Sequence, residues 1–400
     1  MKKYNIKVEL LPNQFLKENG TFDKNEALKL SGKIAGVCYD QEGFNHLVNE
    51  DYDRTKKRIN MTLDNGHHSV YDHISISFNL QNVPKILAMV LNNEHQYTTS
   101  EKSARYTKVV KDDNGIISDK EEKLYLKWFQ IYAIKIKEKY GNIFNDSKII
   151  KLAQENARYL VTVFMPTQMI YTTTLRQINY LASWMMEYIT KSDLNNEFER
   201  ELSLAMEEFV YNLMDLNVLD MRLSKNEKNR ELSLFGKDLN KKNNYFGDIY
   251  TYNYKGSLAQ LAQAQRHRTL DYKMEFLNEK EFYIPEIIKD DNALVTEWLN
   301  DISSVSEVTP QGTLVNINET GTYDNFILKC KERLCSAAQL EIMNQTKETL
   351  TKYKEALVLS NHPLKDDINK YTKGARCTFP DYRCPRDCKF TEGKKLIRKI

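Results

Sequence analysis

Gln263-Ala264-Gln265-Arg266-His267-Arg268-Thr269 decides how the rest of the chain is read. Three adjacent cationic or cation-capable side chains, with a glutamine three residues ahead of the first, make a short forked donor array suited to a phosphate or a carboxylate. By itself Arg-His-Arg is also what a solvated helix end would show in a chain with 58 lysines and arginines. The flanking text changes the reading. An apolar-periodic run (Leu258, Leu261, Ala262) predicts a helix over 257–266, and Arg333-Leu-Cys-Ser-Ala-Ala-Gln339-Leu-Glu341-Ile342 follows further on.

The 400 residues are 41% hydrophobic and 11% aromatic, enough for one large or two medium domains with real cores. No stretch approaches the roughly 18 apolar residues that span a bilayer, and Met1-Lys-Lys-Tyr-Asn-Ile is not followed by an apolar run, so the expected location is the cytoplasm. A net charge of +3 argues against a nucleic-acid polyelectrolyte binder; any anion should be held by a local cluster. Six cysteines in a chain of this length are not a disulfide scaffold.

Working outward, Asp248 to Gly256 is strand-like with period two, and a strand followed by a helix recurs earlier, at Ile74 to Leu80 and Lys85 to Asn93. This ordering predicts an internal duplication. Alternation from Tyr4 to Leu10 predicts a strand, and 27–39 and 51–64 predict helices. Gly66-His67-His68-Ser69-Val70-Tyr71-Asp72-His73 reads as a turn into the strand at 74–80, and Ser100 to Tyr106 as a polar loop. Helical spacing is expected over 121–141, 148–188, 196–216 and 325–360. The expected fold class is α+β: two repeats, each a small antiparallel sheet against long helices, over 1–220 and 243–362. A charged linker at 221–242 and a cysteine-containing tail at 363–400 complete the chain.

These blocks resemble the flavin-dependent thymidylate synthase family. Its pattern is a His-x-x-x-x-Glu-His strand opening, then Gln-x-x-Arg-His-Arg, Glu-x-Ser-x-Arg-Tyr, an Ala-Arg pair, Asn-x-Arg and Arg-x-x-x-x-Ala-Gln-x-Glu-Ile. The first half resembles it at Gly66 to His73, with Asp72 for the glutamate, at Glu101-x-Ser103-x-Arg105-Tyr106, at Ala157-Arg158 and at Thr174-x-Arg176. Asn93-Glu94-His95 stands where Arg-His-Arg should be. The second half keeps Gln263, Arg266 to Arg268 and Arg333 to Ile342, but has Phe276 and Asn278 for the serine and arginine, and Gly247 for the histidine. The family is a homotetramer whose sites are shared between subunits. The complementary losses therefore imply a fused chain with one complete composite site, two chains pairing as a homodimer to mimic the tetramer.

What the resemblance implies is reductive methylation of dUMP to dTMP, with methylenetetrahydrofolate as carbon donor, FAD as cofactor and NADPH as reductant. Arg333 would be catalytic, stabilising negative charge on the uracil oxygens. Gln263, Arg266, Glu101, Ser103, Arg105 and Arg158 would bind dUMP, its phosphate against the guanidinium groups. His67, Ser69, Arg176, His267 and Arg268 would hold the flavin, for which no Rossmann glycine motif is present. Two alternatives stay open: methylation or hydroxymethylation of another pyrimidine nucleotide, dUMP or dCMP, and an inactive nucleotide-binding homologue. No Pro-Cys-His context offers a thiol nucleophile; Cys38, Cys330 and Cys335 read as core. Cys377, Cys384 and Cys388 in the tail suit zinc if His362 or Cys38 completes a tetrahedron, or form an unmetallated reduced loop.

Overall fold

A computed structural model describes residues 3–103, 109, 115–224, 230–385 and 387–400. In chain order these form β1 (Lys7–Leu10), α1 (Lys24–Gly36), α2 (Phe44–Val48), α3 (Tyr52–Asp64), β2 (Ser75–Pro84), α4 (Lys85–Leu91), β3 (Tyr97–Glu101), α5 (Asp119–Tyr140) and α6 (Asp146–Ala157). There follow β4 (Pro166–Thr174), α7 (Leu175–Lys191), α8 (Glu197–Asp215), α9 (Met221–Ser224), β5 (Tyr245–Phe246), β6 (Ile249–Ser257), α10 (Leu258–Ala264) and β7 (Asp271–Phe276). The last are α11 (Asn292–Ser303), β8 (Leu314–Thr322), α12 (Tyr323–Arg333) and α13 (Leu340–Leu359), with short helical turns in the tail. The fold is α+β, with two four-stranded sheets among the described residues, ordered β1-β2-β4-β3 and β5-β6-β8-β7 and antiparallel throughout.

The chain divides into two compact units that interleave along the sequence: unit 1 holds 1–102 and 164–233, unit 2 holds 103–163 and 234–400. In unit 1, period-two alternation makes β2 a half-buried strand, with Ile76, Phe78 and Leu80 turned fully inward. A register shift between Leu80 and Val83 is absorbed at Asn82, whose φ of 57° suits a short amide side chain. β2 then runs directly into α4, every residue of which is buried.

In unit 2, β6 runs into α10 in the same way, and α10 is likewise buried along its whole length. Segment 103–163, expected within the first repeat, packs here. Trp128 meets Trp298 edge-on at 4.9 Å and donates its indole N–H to Asp301 at 2.8 Å. Gly312 donates its N–H to the Tyr159 carbonyl at 2.8 Å, an approach so close that an added Cβ would lie 3.0 Å from that oxygen.

Two helical expectations are corrected. The stretch 148–188 contains β4 between α6 and α7, because Thr167, Met169, Tyr171 and Thr173 bury alternately against β2 and β3. The stretch 325–360 breaks after Arg333 and resumes at Leu340. β7 and β8 were not anticipated, and β3 occupies the first part of the expected loop at 100–106. The described part of the charged linker is not uniformly solvated, since Leu232, Leu234 and Leu239 are buried. Among the described residues no helix is long and apolar enough to cross a membrane.

Candidate active site

The centre of unit 2 is built at the two ends of α10. At its start, Ser257 caps the helix by accepting the Gln260 N–H at 3.0 Å, and gives its own N–H and hydroxyl to Glu341 at 2.8 and 2.6 Å. Tyr159 donates its hydroxyl to the same carboxylate at 2.7 Å. Burial raises the Glu341 carboxyl above the ordinary range, opposed by these donors and by the charge of Arg158. Glu341 of the Arg-x-x-x-x-Ala-Gln-x-Glu block is therefore a helix anchor, and Arg158 lies in its electrostatic reach.

At the other end, about 10 Å along the axis, the chain leaves the helix as a turn, so successive side chains point to different sides. His267 is buried while Arg266 and Arg268 are exposed. Arg333, last residue of α12, donates its Nε–H to His267 Nε2 at 2.6 Å and an Nη2–H to the Gln263 carbonyl at 3.1 Å. Burial above all, then the charges of Arg333 and Lys329, holds the His267 imidazole well below its ordinary value. The ring is neutral; accepting at Nε2 assigns its proton to Nδ1, 3.6 Å from the Glu332 carboxylate.

Beneath this turn lies a polar network that the sequence reading missed. Lys329, one helical turn before Arg333, donates to Glu319 at 2.5 Å and to Gln345 at 3.1 Å, with both charged side chains fully buried. Glu319 also accepts from Tyr250 at 2.6 Å and Tyr254 at 3.1 Å. Burial lowers the Lys329 ammonium and raises both phenols. A lysine and a glutamate in a chain with 58 basic and 55 acidic residues give no sequence signal of such pairing.

In unit 1, Asp72 pairs with Arg176 and accepts the Thr174 hydroxyl at 2.7 Å, while Thr174 also caps α7. The Arg176 Nε is buried without a hydrogen-bond partner among the described residues. His67 and Ser69 are exposed on the preceding segment, whereas His68 is buried between the Tyr180 hydroxyl at 2.9 Å and the Leu63 carbonyl at 3.0 Å. Glu101 is paired with Lys85 at 2.5 Å. Arg105 lies outside the described residues. Of the expected site residues, Ser103, Arg158, Gln263, Arg266, His267, Arg268 and Arg333 fall in unit 2, and His67, Ser69, Glu101 and Arg176 in unit 1. His362 lies 3.7 Å from Asp248, and Cys38, expected as core, is exposed.

A guanidinium held by an imidazole, with two exposed arginines beside it, makes a cationic cluster on a protein of mixed α and β structure. Residues 22–208 match the family model of the thymidylate synthase complementing protein. The flavin-dependent thymidylate synthase of Pyrococcus furiosus is 23% identical over 147 residues, 35% of this chain and 56% of that protein, so the match spans little more than half of the relative's length. A solved UMP/dUMP methylase, PolB from Streptomyces cacaoi bound with 5-Br dUMP, aligns at 19% identity with a TM-score of 0.32, over 55% of this chain and 93% of its own. Over residues 22–208 the chain is thus similar to the thymidylate synthase complementing protein family. The Arg266 and Arg333 blocks lie beyond the matched residues.

Proposed function

We propose that the chain reductively methylates dUMP to dTMP with methylenetetrahydrofolate as carbon donor. The observation that carries this reading is Arg333, held before any substrate arrives by a neutral His267 and the Gln263 carbonyl. A fixed positive charge of this kind stabilises negative charge on the uracil oxygens as carbon 5 turns nucleophilic, and costs little reorganisation at that moment. Neutrality of His267 matters: an imidazolium could not accept from Arg333 and would release it. Arg266 and Arg158, with Ser103, supply cations and a hydroxyl for the phosphate dianion from the same unit.

The donor set also suits a flavin dinucleotide. In unit 2, exposed Arg268 suits a pyrophosphate; in unit 1, the Arg176 Nε is buried without a hydrogen-bond acceptor among the described residues. Bound FAD, reduced by NADPH, would supply the reducing equivalents. His67 and Ser69 are the candidates for its ring and the folate.

The test is an absorbance spectrum of the purified chain after reconstitution with FAD, followed by dUMP titration of the flavin bands and tritium release from carbon-5-labelled dUMP and dCMP. Flavin bands perturbed by dUMP, with release from dUMP, are expected. Release from dCMP alone would move the activity to another pyrimidine, and a chain that takes up no FAD would be an inactive homologue.

A further inference from the structure

The tail of unit 2 borders an open cavity of about 450 Å³ lined by half-buried Cys335 and exposed Cys377, Cys384 and Cys388, with Arg376 and Lys394 on its wall. Three of these cysteines are neighbours in sequence. The fourth, expected as core, sits in the loop that follows α12, two residues after Arg333. The tail is fastened there by backbone: Arg376 N–H donates to the Leu334 carbonyl at 2.7 Å, and Ala375 N–H to the Lys394 carbonyl at 2.8 Å. Lys331 pairs with Asp381 at 2.5 Å beside it. None of the four forms a disulfide among the described residues.

Four thiols on one cavity are the donor set either of a zinc ion or of an iron–sulfur cluster. Zinc requires its sulfurs within about 2.3 Å of a single point. Among the described residues no three His, Cys, Asp or Glu side chains converge on one ion. A cubane cluster instead takes one thiolate at each of four corners, so its ligands stand apart around an enclosed volume. We propose that Cys335, Cys377, Cys384 and Cys388 ligate a four-iron, four-sulfide cluster in this cavity.

Three features fit a group that is anionic overall. Arg376 and Lys394 face the volume, Lys394 steadied by Asp387 at 2.8 Å. The Arg376 Nε is buried with no hydrogen-bond partner among the described residues. Ala337 turns its N–H to Cys335 Sγ at 3.5 Å, a donor of the type that tunes cluster thiolates. The cluster would clamp the tail to the loop that ends α12, next to Arg333.

The full chain is purified anaerobically, or reconstituted with ferrous and ferric iron in equal amounts and sulfide, the four thiols releasing their protons to buffer, and analysed for iron, acid-labile sulfide, zinc and free thiols. About four irons and four sulfides per chain are expected, with a broad absorbance that bleaches on reduction and is independent of flavin content. Cys335→Ser and Cys384→Ser should each lose most of the iron, whereas Cys38→Ser keeps it. Far-UV circular dichroism establishes that each variant is folded. One zinc per chain without sulfide, or six titratable thiols after reconstitution, overturns the proposal. So does full loading of the Cys335→Ser chain. The wild-type measurement decides even if a ligand variant fails to fold, and none of these readouts depends on nucleotide turnover.

Discussion

Two turns occupy the same place in the two sheets and are wired oppositely. Each follows a short, wholly buried helix leaving the second strand of its sheet: Asn93-Glu94-His95 after α4, Arg266-His267-Arg268 after α10. In the first, nearly inaccessible Glu94 takes the Arg230 guanidinium and accepts the Ser233 N–H at 2.6 Å. In the second, His267 takes the Arg333 guanidinium. A carboxylate with an arginine is a closed, neutral pair. A neutral imidazole with an arginine keeps a net positive charge and still fixes its direction. The same backbone device thus makes a neutral clasp in one unit and an oriented positive charge in the other.

The strongest way to break the comparison is to abolish the charge of the second turn. Arg333→Leu should lower kcat/KM for dUMP by about 10²–10³, the cost of losing one preorganised donor, or about 3–4 kcal/mol. His267→Glu, which rewires the second turn like the first, should do nearly the same while flavin binding persists. Steady-state kinetics with a flavin titration check both; an active His267→Glu chain would show that the charge of this pair is irrelevant. Next in size is Lys329→Met, which leaves Glu319 buried with only neutral partners at 2.6 and 3.1 Å. A loss of about 3 kcal/mol in denaturant unfolding is expected. An unchanged midpoint would mean that the buried Lys329–Glu319 pair adds nothing net to stability.

Why one turn was legible and its support was not has a physical explanation. Gln263, His267 and Arg333 sit in short blocks that resemble a family pattern, and that resemblance marked them. Lys329 and Glu319 matter only because β8 and α12 bring them together, a fact of packing that no local window contains. β4 was lost for a related reason. The run from Tyr159 to Leu175 is so dense in apolar and β-branched residues that it satisfies helical and strand periods at once, and the deciding contacts with β2 and β3 come from elsewhere. β8 was not anticipated, and its Asn316 and Asn318 are poor strand formers; Asn318 is a cross-strand donor to Thr251 and Asn253, at 2.8 and 2.9 Å. Cys335 was read as core from its helical surroundings, since its cavity partners lie far along the chain.

The closed clasp gives a smaller effect. Arg230→Ala should cost unit 1 about 2 kcal/mol, less than a fully orphaned buried ion, because the Ser233 N–H remains and Arg230 is already 40% exposed. Arg230 also lies over the Trp184 ring at 3.6 Å, so Arg230→Lys should recover only part of the loss. Differential scanning calorimetry of the three chains checks the ranking, and equal stability of Arg230→Ala and wild type would remove the clasp from the comparison.

The smallest effect is a pH dependence specific to the second turn. His267 is depressed in the folded chain, so as pH falls through about 6.5 the unfolded chain takes a proton that the folded chain refuses. Stability is therefore full above that value and declines below it, by up to about 1.4 kcal/mol per pH unit, until the depressed native value is reached. Glu341 acts with the opposite sign, since its raised carboxyl favours the folded state as pH falls. The informative quantity is thus the difference between wild type and His267→Gln, measured as urea midpoints from about pH 7.5 to 5. The wild-type advantage should shrink steadily on acidification. A difference that does not change with pH would mean that folding leaves the proton affinity of His267 unaltered, so that the folded ring becomes an imidazolium as readily as the unfolded one, and an imidazolium cannot accept the Arg333 Nε–H on which the site's geometry depends.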